Sequence, residues 1–293
     1  MLEEKFIRYI TFEKRYSKHT IIAYQADLAQ FYQYINIQFG SVDNKDITHF
    51  YVRSWIVTLM DSGMDARSVN RKITSLKSYF KFLSKNNLIE HNPMLKIQGP
   101  KTSKKLPVFV EKSKMNLLLD QAMPQKGFKA KRDMCIIELF YHAGIRLAEL
   151  VELQTINVNL RSQQIKVLGK RNKERIIPIT NNVVKKLEAY MEEKKPDTNQ
   201  SCFFVNEDDT PINRKYVYRM VKNNLGDVTT QKKRSPHVLR HTFATHMLDN
   251  GADINALKEI LGHSSLAATQ VYTHNTIEKL KNIHARAHPR GNG

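Results

Sequence analysis

The most restrictive feature of the sequence is a pair of helix patterns between residues 235 and 262. A Ser-Pro pair, a common helix start, opens the first pattern, and an Asn-Gly pair, a common stop, follows it. These signals predict one helix from Ser235 to Asp249 and a second from Asp253 to Gly262. In the first helix an apolar stripe at helical spacing predicts a face that packs on a core; it consists of Leu239, Phe243 and Met247.

The polar side of the first helix carries residues suited to phosphoryl chemistry. His237, Arg240 and His241 stand at i, i+3 and i+4 and therefore share one face. His263 follows the second helix, and Tyr272 comes nine residues later. Arginine offers a planar fork of donors to phosphate oxygens, and histidine moves protons near neutral pH. A tyrosine with its ordinary pKa of ~10 needs nearby cations or a base before it becomes a nucleophile.

The same two histidines permit a rival hypothesis of a zinc site. His237 and His241 have the i, i+4 spacing of a zinc-binding helix, but the metalloprotease pattern requires Glu after the first His. Val238 stands there, and Arg240 on the same face would repel a divalent cation. A structural or exposed role suits His241 and His246 better, so no metal site is predicted. Taken alone, Tyr272 would be an ordinary core or surface tyrosine.

The pattern His237-x-x-Arg240, Leu261-Gly262-His263 and Tyr272 resembles the catalytic box of the tyrosine recombinases, the phage-integrase family. That family also has an arginine in a Gly-hydrophobic-Arg-x-x-Glu-Leu segment, which residues 144–150 match with Arg146 and Glu149. It has a lysine in a β-hairpin loop, which residues 169–175 match with Lys170. Here Arg171 replaces the second glycine of the loop motif.

The resemblance implies a role for each of these residues. Tyr272 attacks a DNA phosphorus, forming a 3′-phosphotyrosyl bond and expelling a 5′-hydroxyl. Arg146 and Arg240 clamp the non-bridging oxygens, where preorganised donors count most. The remaining expected roles are proton donation to the leaving oxygen by Lys170, management of the tyrosine proton by His237, and a hydrogen bond to a non-bridging oxygen from His263. Glu149 is expected to hold the Arg146 guanidinium, although an Arg–Glu pair by itself is more often an ordinary surface pair. The chemistry implies no cofactor, metal or ATP.

The predicted fold is mainly α-helical, with a small antiparallel β-sheet in the C-terminal domain, arranged as a two-domain DNA clamp. Residues 1–98 are predicted to form a helical, SAM-like core-binding domain, residues 99–107 a linker, and residues 108–293 the catalytic domain. Residues 164–168 and 175–179 predict two strands around the Gly169 loop, and residues 202–205 a third. The linker contains helix breakers and lysines without an acid, and it fits either a DNA-crossing segment or a plain tether.

Charge favours a nucleic-acid partner. The 293 residues include 47 Lys and Arg against 28 Asp and Glu, a net charge of +19. An inert basic surface would give the same count. A predicted helix over residues 66–83 has a basic face, for which we expect partial DNA contact, although a solvated face is the commoner outcome: Arg67, Asn70, Arg71, Lys72, Lys77 and Lys81. No apolar run approaches a membrane span, and Cys135 and Cys202 form no metal-ligand spacing, so a cytoplasmic location is expected.

Within the family the chain resembles the compact Xer-type recombinases. The resemblance implies double-stranded DNA with two inverted half-sites, a tetramer of this chain alone or with a paralogous recombinase, and control by a DNA translocase during chromosome dimer resolution. It also implies that the helix after Tyr272 docks on a neighbouring protomer. Three alternatives use the same features: integration or inversion by a mobile element, relaxation by a type IB topoisomerase, and a non-catalytic DNA-binding regulator.

Overall fold

The computed structural model describes residues 2–102, 108–121, 127–169, 174–194, 201–262, 283 and 286–289. The chain divides into two compact units, residues 1–105 and residues 106–293. Both units are mainly helical, and the second contains a three-stranded antiparallel sheet. This confirms the predicted fold class. Most of the predicted linker, residues 103–107, lies outside the described residues.

The N-terminal unit is built from four helices: α1 (Leu2–Arg8), α2 (Lys18–Phe39), α3 (His49–Asp61) and α4 (Ala66–Lys85). A π-helical turn, Tyr9–Glu13, follows α1, and a 3-10 turn, Pro93–Lys96, follows α4. Side chains of Ser17, Thr48 and Asp65 accept hydrogen bonds from the first turns of α2, α3 and α4. These caps satisfy amides that have no partner within the helix, and therefore fix where each helix begins.

The core of this unit lies between the four helices. Trp55 of α3 meets Phe31 of α2 edge-to-face at 5.2 Å between ring centroids. The apolar stripe of α4 is buried in this core: Val69, Ile73, Leu76, Phe80 and Leu83. Among the described helices, none combines the length and apolar character that crossing a bilayer requires.

Besides its sheet, the second unit contains seven α-helices within the described ranges: α5 (Lys112–Gln121), α6 (Phe128–His142), α7 (Leu147–Val151), α8 (Asn181–Glu193), α9 (Arg214–Val228), α10 (Pro236–Asp249) and α11 (Ile254–Leu261). Helix α6 is buried along nearly its whole length and packs against α8 and α10. Because α10 lies on this central helix, its opposite side is available to carry polar groups.

The sheet has the order β1-β2-β3, with β1 Val158–Asn159, β2 Gln164–Leu168 and β3 Glu174–Pro178. Strands β2 and β3 pair in antiparallel register from Gln164 opposite Pro178 to Leu168 opposite Glu174. The hairpin predicted around Gly169 is therefore confirmed, with β3 beginning one residue earlier than expected. Residues 170–173 of its loop lie outside the described residues.

The prediction of a third strand at residues 202–205 was wrong. This segment makes only isolated bridges, between Gln154 and Cys202 and between Val205 and Pro211. Its two phenylalanines, Phe203 and Phe204, are buried against the ring of Tyr190, so the segment packs on α8 instead of joining the sheet. The third strand of the sheet is instead the short strand β1.

Helices α10 and α11 have the bounds that their start and stop signals predicted. Asp253 accepts hydrogen bonds from the amides of Asn255 and Ala256, and Gly262 ends α11 in the left-handed conformation, with φ +62°. The predicted stripe of Leu239, Phe243 and Met247 is completely buried. Ser235 occupies the N-cap position of α10, although its side chain makes no capping hydrogen bond.

Candidate active site

The site is built on the carboxyl end of α11. Three successive carbonyl oxygens there each accept a hydrogen bond from a different arginine. Arg175 Nε donates to Ile260 O at 2.8 Å, Arg240 Nη2 to Leu261 O at 2.5 Å, and Arg146 Nη2 to Gly262 O at 2.8 Å. The last carbonyls of a helix have no intrahelical partner and carry the negative end of its dipole, so they attract cations.

Arg146 occupies the position before α7 and is held by Glu149, which lies on the first turn of that helix. Arg146 Nη1 donates to Glu149 Oε1 and the Arg146 amide donates to Glu149 Oε2, both at 2.8 Å. The Arg146 side chain remains 21% exposed, whereas the Glu149 side chain is 4% exposed. The contact expected between Glu149 and Arg146 is therefore present, and the guanidinium keeps a face toward solvent.

A third arginine, Arg175 of β3, completes the ion pair. Its Nη1 and Nη2 donate to the two oxygens of Glu149 at 2.6 and 2.8 Å, a bidentate geometry that only arginine provides. Burial by itself raises the pKa of Glu149, but the hydrogen bonds and charge of Arg175, followed by those of Arg146, outweigh burial. The pKa of Glu149 falls from 4.5 to about 2 as a result.

Arg240 of α10 lies deeper than Arg146. It is 8% exposed and also donates to Gly144 O, at the turn that precedes Arg146. Burial, followed by the charges of Arg146 and Arg175, lowers the pKa of Arg240 from 12.5 to about 9. Three guanidinium groups against one carboxylate leave two positive charges among these four residues, so the site favours an incoming anion.

Two glycines of the site lie where neighbouring side chains approach the backbone closely. Gly144 has φ +54°, and a Cβ there would lie 2.5 Å from a Phe243 ring carbon. A Cβ on Gly262 would lie 3.1 Å from Arg175 Cδ. Both positions therefore favour glycine for conformation and space.

The other predicted residues are placed only in part. His237 lies on the first turn of α10, one turn before Arg240, and is exposed. Lys170, His263 and Tyr272 lie outside the described residues. His263 is next to Gly262 in sequence, and Lys170 follows Gly169 at the end of β2. Within the described ranges, no group of three His, Cys, Asp or Glu side chains is arranged to hold a metal ion.

His246 is buried and lies within hydrogen-bonding distance of a tyrosine, which fits the structural one of the two roles, structural or exposed, expected for it. It is 5% exposed, and its Nδ1 lies 3.0 Å from the Tyr141 hydroxyl.

The described end of the C-terminal tail packs on the same unit. Asn250 Nδ2 donates to Ala287 O at 2.7 Å, and the His288 ring stacks on the His142 ring at 4.3 Å between centroids.

The basic face of α4 is less free than the sequence suggested. Arg71 donates to both oxygens of the buried Asp27, at 2.5 and 2.8 Å, and Lys72 donates to Asp27 at 2.9 Å. Lys72 is buried, so its assignment to the solvent-facing side was wrong. Asn70 donates to Pro100 O at 2.8 Å and thereby fixes the start of the predicted linker. Four exposed cations remain on this face: Arg67, Arg71, Lys77 and Lys81.

Arg175 is the last residue of the loop motif at residues 169–175, and the motif predicts no role for it. The available signal was an arginine directly before the apolar residues 176–179 of the predicted strand, where a buried charge would need a partner. Arg240 was expected to lie with the polar residues, yet it is largely buried.

Comparison with known proteins decides the family. Residues 109–279 match the model of the phage integrase family, and residues 4–87 match the phage integrase N-terminal SAM-like domain. The chain belongs to the phage integrase family of tyrosine recombinases. It is a site-specific recombinase, as the motifs of the sequence predicted.

Similar proteins match this recombinase over nearly its full length. The tyrosine recombinase XerC of Pelobacter propionicus is 33% identical, with 95% of this chain and 92% of that protein covered. The tyrosine recombinase XerD of Staphylococcus saprophyticus is 34% identical, with 98% of each covered.

Solved structures share the fold at lower identity. XerH site-specific recombinase bound to a palindromic difH substrate superposes with a TM-score of 0.72 at 22% identity, covering 89% of this chain and 78% of the other. The Tn1549 transposon integrase in complex with circular intermediate DNA gives 0.72 at 18% identity, covering 95% and 98%.

Proposed function

We propose that this recombinase cuts and rejoins double-stranded DNA through a 3′-phosphotyrosyl bond to Tyr272. The observation that carries the proposal is the convergence of Arg146 and Arg240 on the end of α11. Their two guanidinium groups stand beside the residue preceding His263, with more positive than negative charge around them. A scissile phosphodiester develops negative charge on its non-bridging oxygens, and preorganised donors at that point lower the barrier.

The remaining roles follow from the resemblance to the family. Tyr272 attacks phosphorus and displaces the 5′-oxygen, to which Lys170 gives a proton. His237 handles the proton of the tyrosine, and His263 donates to a non-bridging oxygen. The phosphotyrosyl bond retains the free energy of the broken phosphodiester, so a 5′-hydroxyl of the partner strand reverses the step without ATP or metal.

The test uses a nicked DNA substrate from which the cleaved end diffuses away and so traps the covalent adduct. The protein as purified yields a slower band on a denaturing gel, and Tyr272→Phe binds the same DNA without giving that band. Tyr218→Phe, which alters an exposed tyrosine of α9, is the matched control and should retain the adduct. An adduct in Tyr272→Phe would assign the nucleophile elsewhere.

We further propose the Xer-type role in chromosome dimer resolution, supported by the full-length similarity to XerC and XerD proteins. In this role residues 1–98 and residues 108–293 each bind DNA of the same half-site. Four protomers, of this chain alone or with a paralogue, pair two sites in the cytoplasm under a DNA translocase. Genome-wide capture of covalent adducts should yield one chromosomal locus; adducts at the ends of mobile elements would contradict this role.

A further inference from the structure

Arg175 is the least exposed arginine of the cluster. Its side chain is 4% exposed, and each of its three guanidinium nitrogens donates within the protein, one to Ile260 O and two to Glu149. Any effect of this residue on DNA cleavage must therefore pass through the groups that it touches.

The Glu149 carboxylate lies between two arginines that use both of its oxygens. Oε1 accepts from Arg175 Nη1 and Arg146 Nη1, and Oε2 accepts from Arg175 Nη2 and the Arg146 amide. With four donors on two oxygens, the carboxylate has a single orientation, and Arg146 is aligned against it. Without the fork of Arg175, one side of this carboxylate would lose both of its hydrogen bonds.

The balance of charge around Glu149 also indicates that Arg175 supports Arg146. Glu149 orients Arg146, but a lone carboxylate would also cancel the positive charge that Arg146 offers to a phosphate. Arg175 restores the balance, because two guanidinium groups and one carboxylate retain one net positive charge. The partly exposed member of the three is Arg146, so this charge is presented on the open side of the site.

We propose that Arg175 is a positioning residue for DNA cleavage: through Glu149 it aligns Arg146 and offsets the carboxylate charge that would otherwise neutralise that arginine. The inference rests on the proposed function of Arg146 as a clamp of the non-bridging oxygens. It assigns to strand β3 a part in catalysis that is separate from the proton donation proposed for Lys170.

The first test compares Arg175→Lys with Arg132→Lys. Lysine keeps the charge but has one nitrogen in place of the fork. Arg132 is another arginine of this unit, 2% exposed and hydrogen-bonded to Val205 O at 3.1 Å, and serves as the matched control. Under single-turnover conditions with saturating protein, Arg175→Lys should cleave about 10²-fold more slowly, as expected for a misplaced catalytic group. Its affinity for a half-site should be unchanged, and Arg132→Lys should cleave at the normal rate.

Two modified substrates separate this mechanism from its alternatives. A methylphosphonate at the scissile position removes one negative charge, so the defect of Arg175→Lys should shrink on it. A sulfur at the 5′-bridging position provides a better leaving group and relieves only a missing proton donor, so the defect should persist. Rescue by sulfur, or an equal defect on all three substrates, would overturn the proposal. Absence of an adduct with the unmodified protein would instead count against the proposed function.

A second test combines two substitutions that together leave the net charge of the site unchanged, and it does not depend on Arg175→Lys being well folded. Arg175→Met leaves Glu149 to cancel Arg146, and adding Glu149→Gln removes that opposing charge. The double variant should therefore cleave faster at saturation than Arg175→Met alone. A double variant that is equally slow or slower would show that Arg175 does not act through the Glu149 charge.

Discussion

Replacing Glu149 with glutamine should destabilise residues 106–293 strongly, because it leaves the buried Arg175 and the partly exposed Arg146 without a counter-charge. Arg175 is 4% exposed and would keep its charge beside a neutral amide. Removing one partner from a buried ion pair costs about 3 to 5 kcal/mol, since the remaining charge is desolvated and unpaired.

The pKa of Glu149 gives an independent magnitude. Its value of about 2, against the ordinary 4.5, means that the ionised carboxylate contributes about 3 kcal/mol to the free energy of unfolding at neutral pH. Since the folded pKa is depressed, this contribution is complete above pH 4.5 and is lost as the pH falls toward 2. Near pH 3 less than half of it, about 1 kcal/mol, should remain.

The assay is urea unfolding at pH 7 and pH 3, read by hydrogen exchange and mass spectrometry on peptides of residues 106–293. Trp55, the sole tryptophan, reports the N-terminal unit by fluorescence and should show no change in its transition. The matched control is Glu152→Gln, which alters a carboxylate 66% exposed and paired with Arg214, and should cost less than about 1 kcal/mol. A destabilisation by Glu149→Gln that is the same size at both pH values would refute the assigned role of its charge.

Three further predictions concern stability, cleavage and assembly. Gly144→Ala should lower the free energy of unfolding by about 2 to 4 kcal/mol, because residue 144 has φ +54° and a Cβ there would collide with the Phe243 ring. Thermal melting measures this loss, and an unchanged melting temperature would contradict the geometry. Lys170→Ala should cleave normal DNA very slowly and recover on a substrate with sulfur at the 5′-bridging position; equal defects on both would place the proton donor elsewhere. A chain truncated after residue 276 should regain cleavage by its own Tyr272 when mixed with full-length Tyr272→Phe; inactivity of the mixture, with DNA binding retained, would mean that the tail acts within its own chain.

The sequence predicted best where local chemistry decides the structure. Helices α10 and α11 follow directly from stop signals and from the Asp253 cap, which satisfy backbone groups without help from distant residues. The error at residues 202–205 has the opposite cause. An apolar run of β-forming residues can pair in a sheet or pack on a helix, and the burial of Phe203 and Phe204 against Tyr190 decided between them.

In the candidate site, too, contacts between neighbouring residues were predictable and contacts between distant residues were not. The three-residue step from Arg146 to Glu149 was sufficient to pair two residues that are close in sequence, whereas the spacing on α10 did not reveal that Arg240 is buried. The bond from Arg175 to Glu149 spans 26 positions, and the bond from Arg146 to Gly262 spans 116. Such contacts depend on how β3, α7 and α11 pack, so no local pattern predicted them. The burial of Lys72 by Asp27 was missed for the same reason.

The most direct test of the central claim is mass spectrometry of the covalent adduct after nuclease and trypsin digestion. Tyr272 is the single tyrosine between Lys258 and Lys279, so one tryptic peptide isolates it from the other tyrosines. We expect a nucleotide joined through its 3′-phosphate to Tyr272 of that peptide. An adduct on any other residue, or one joined through a 5′-phosphate, would contradict it.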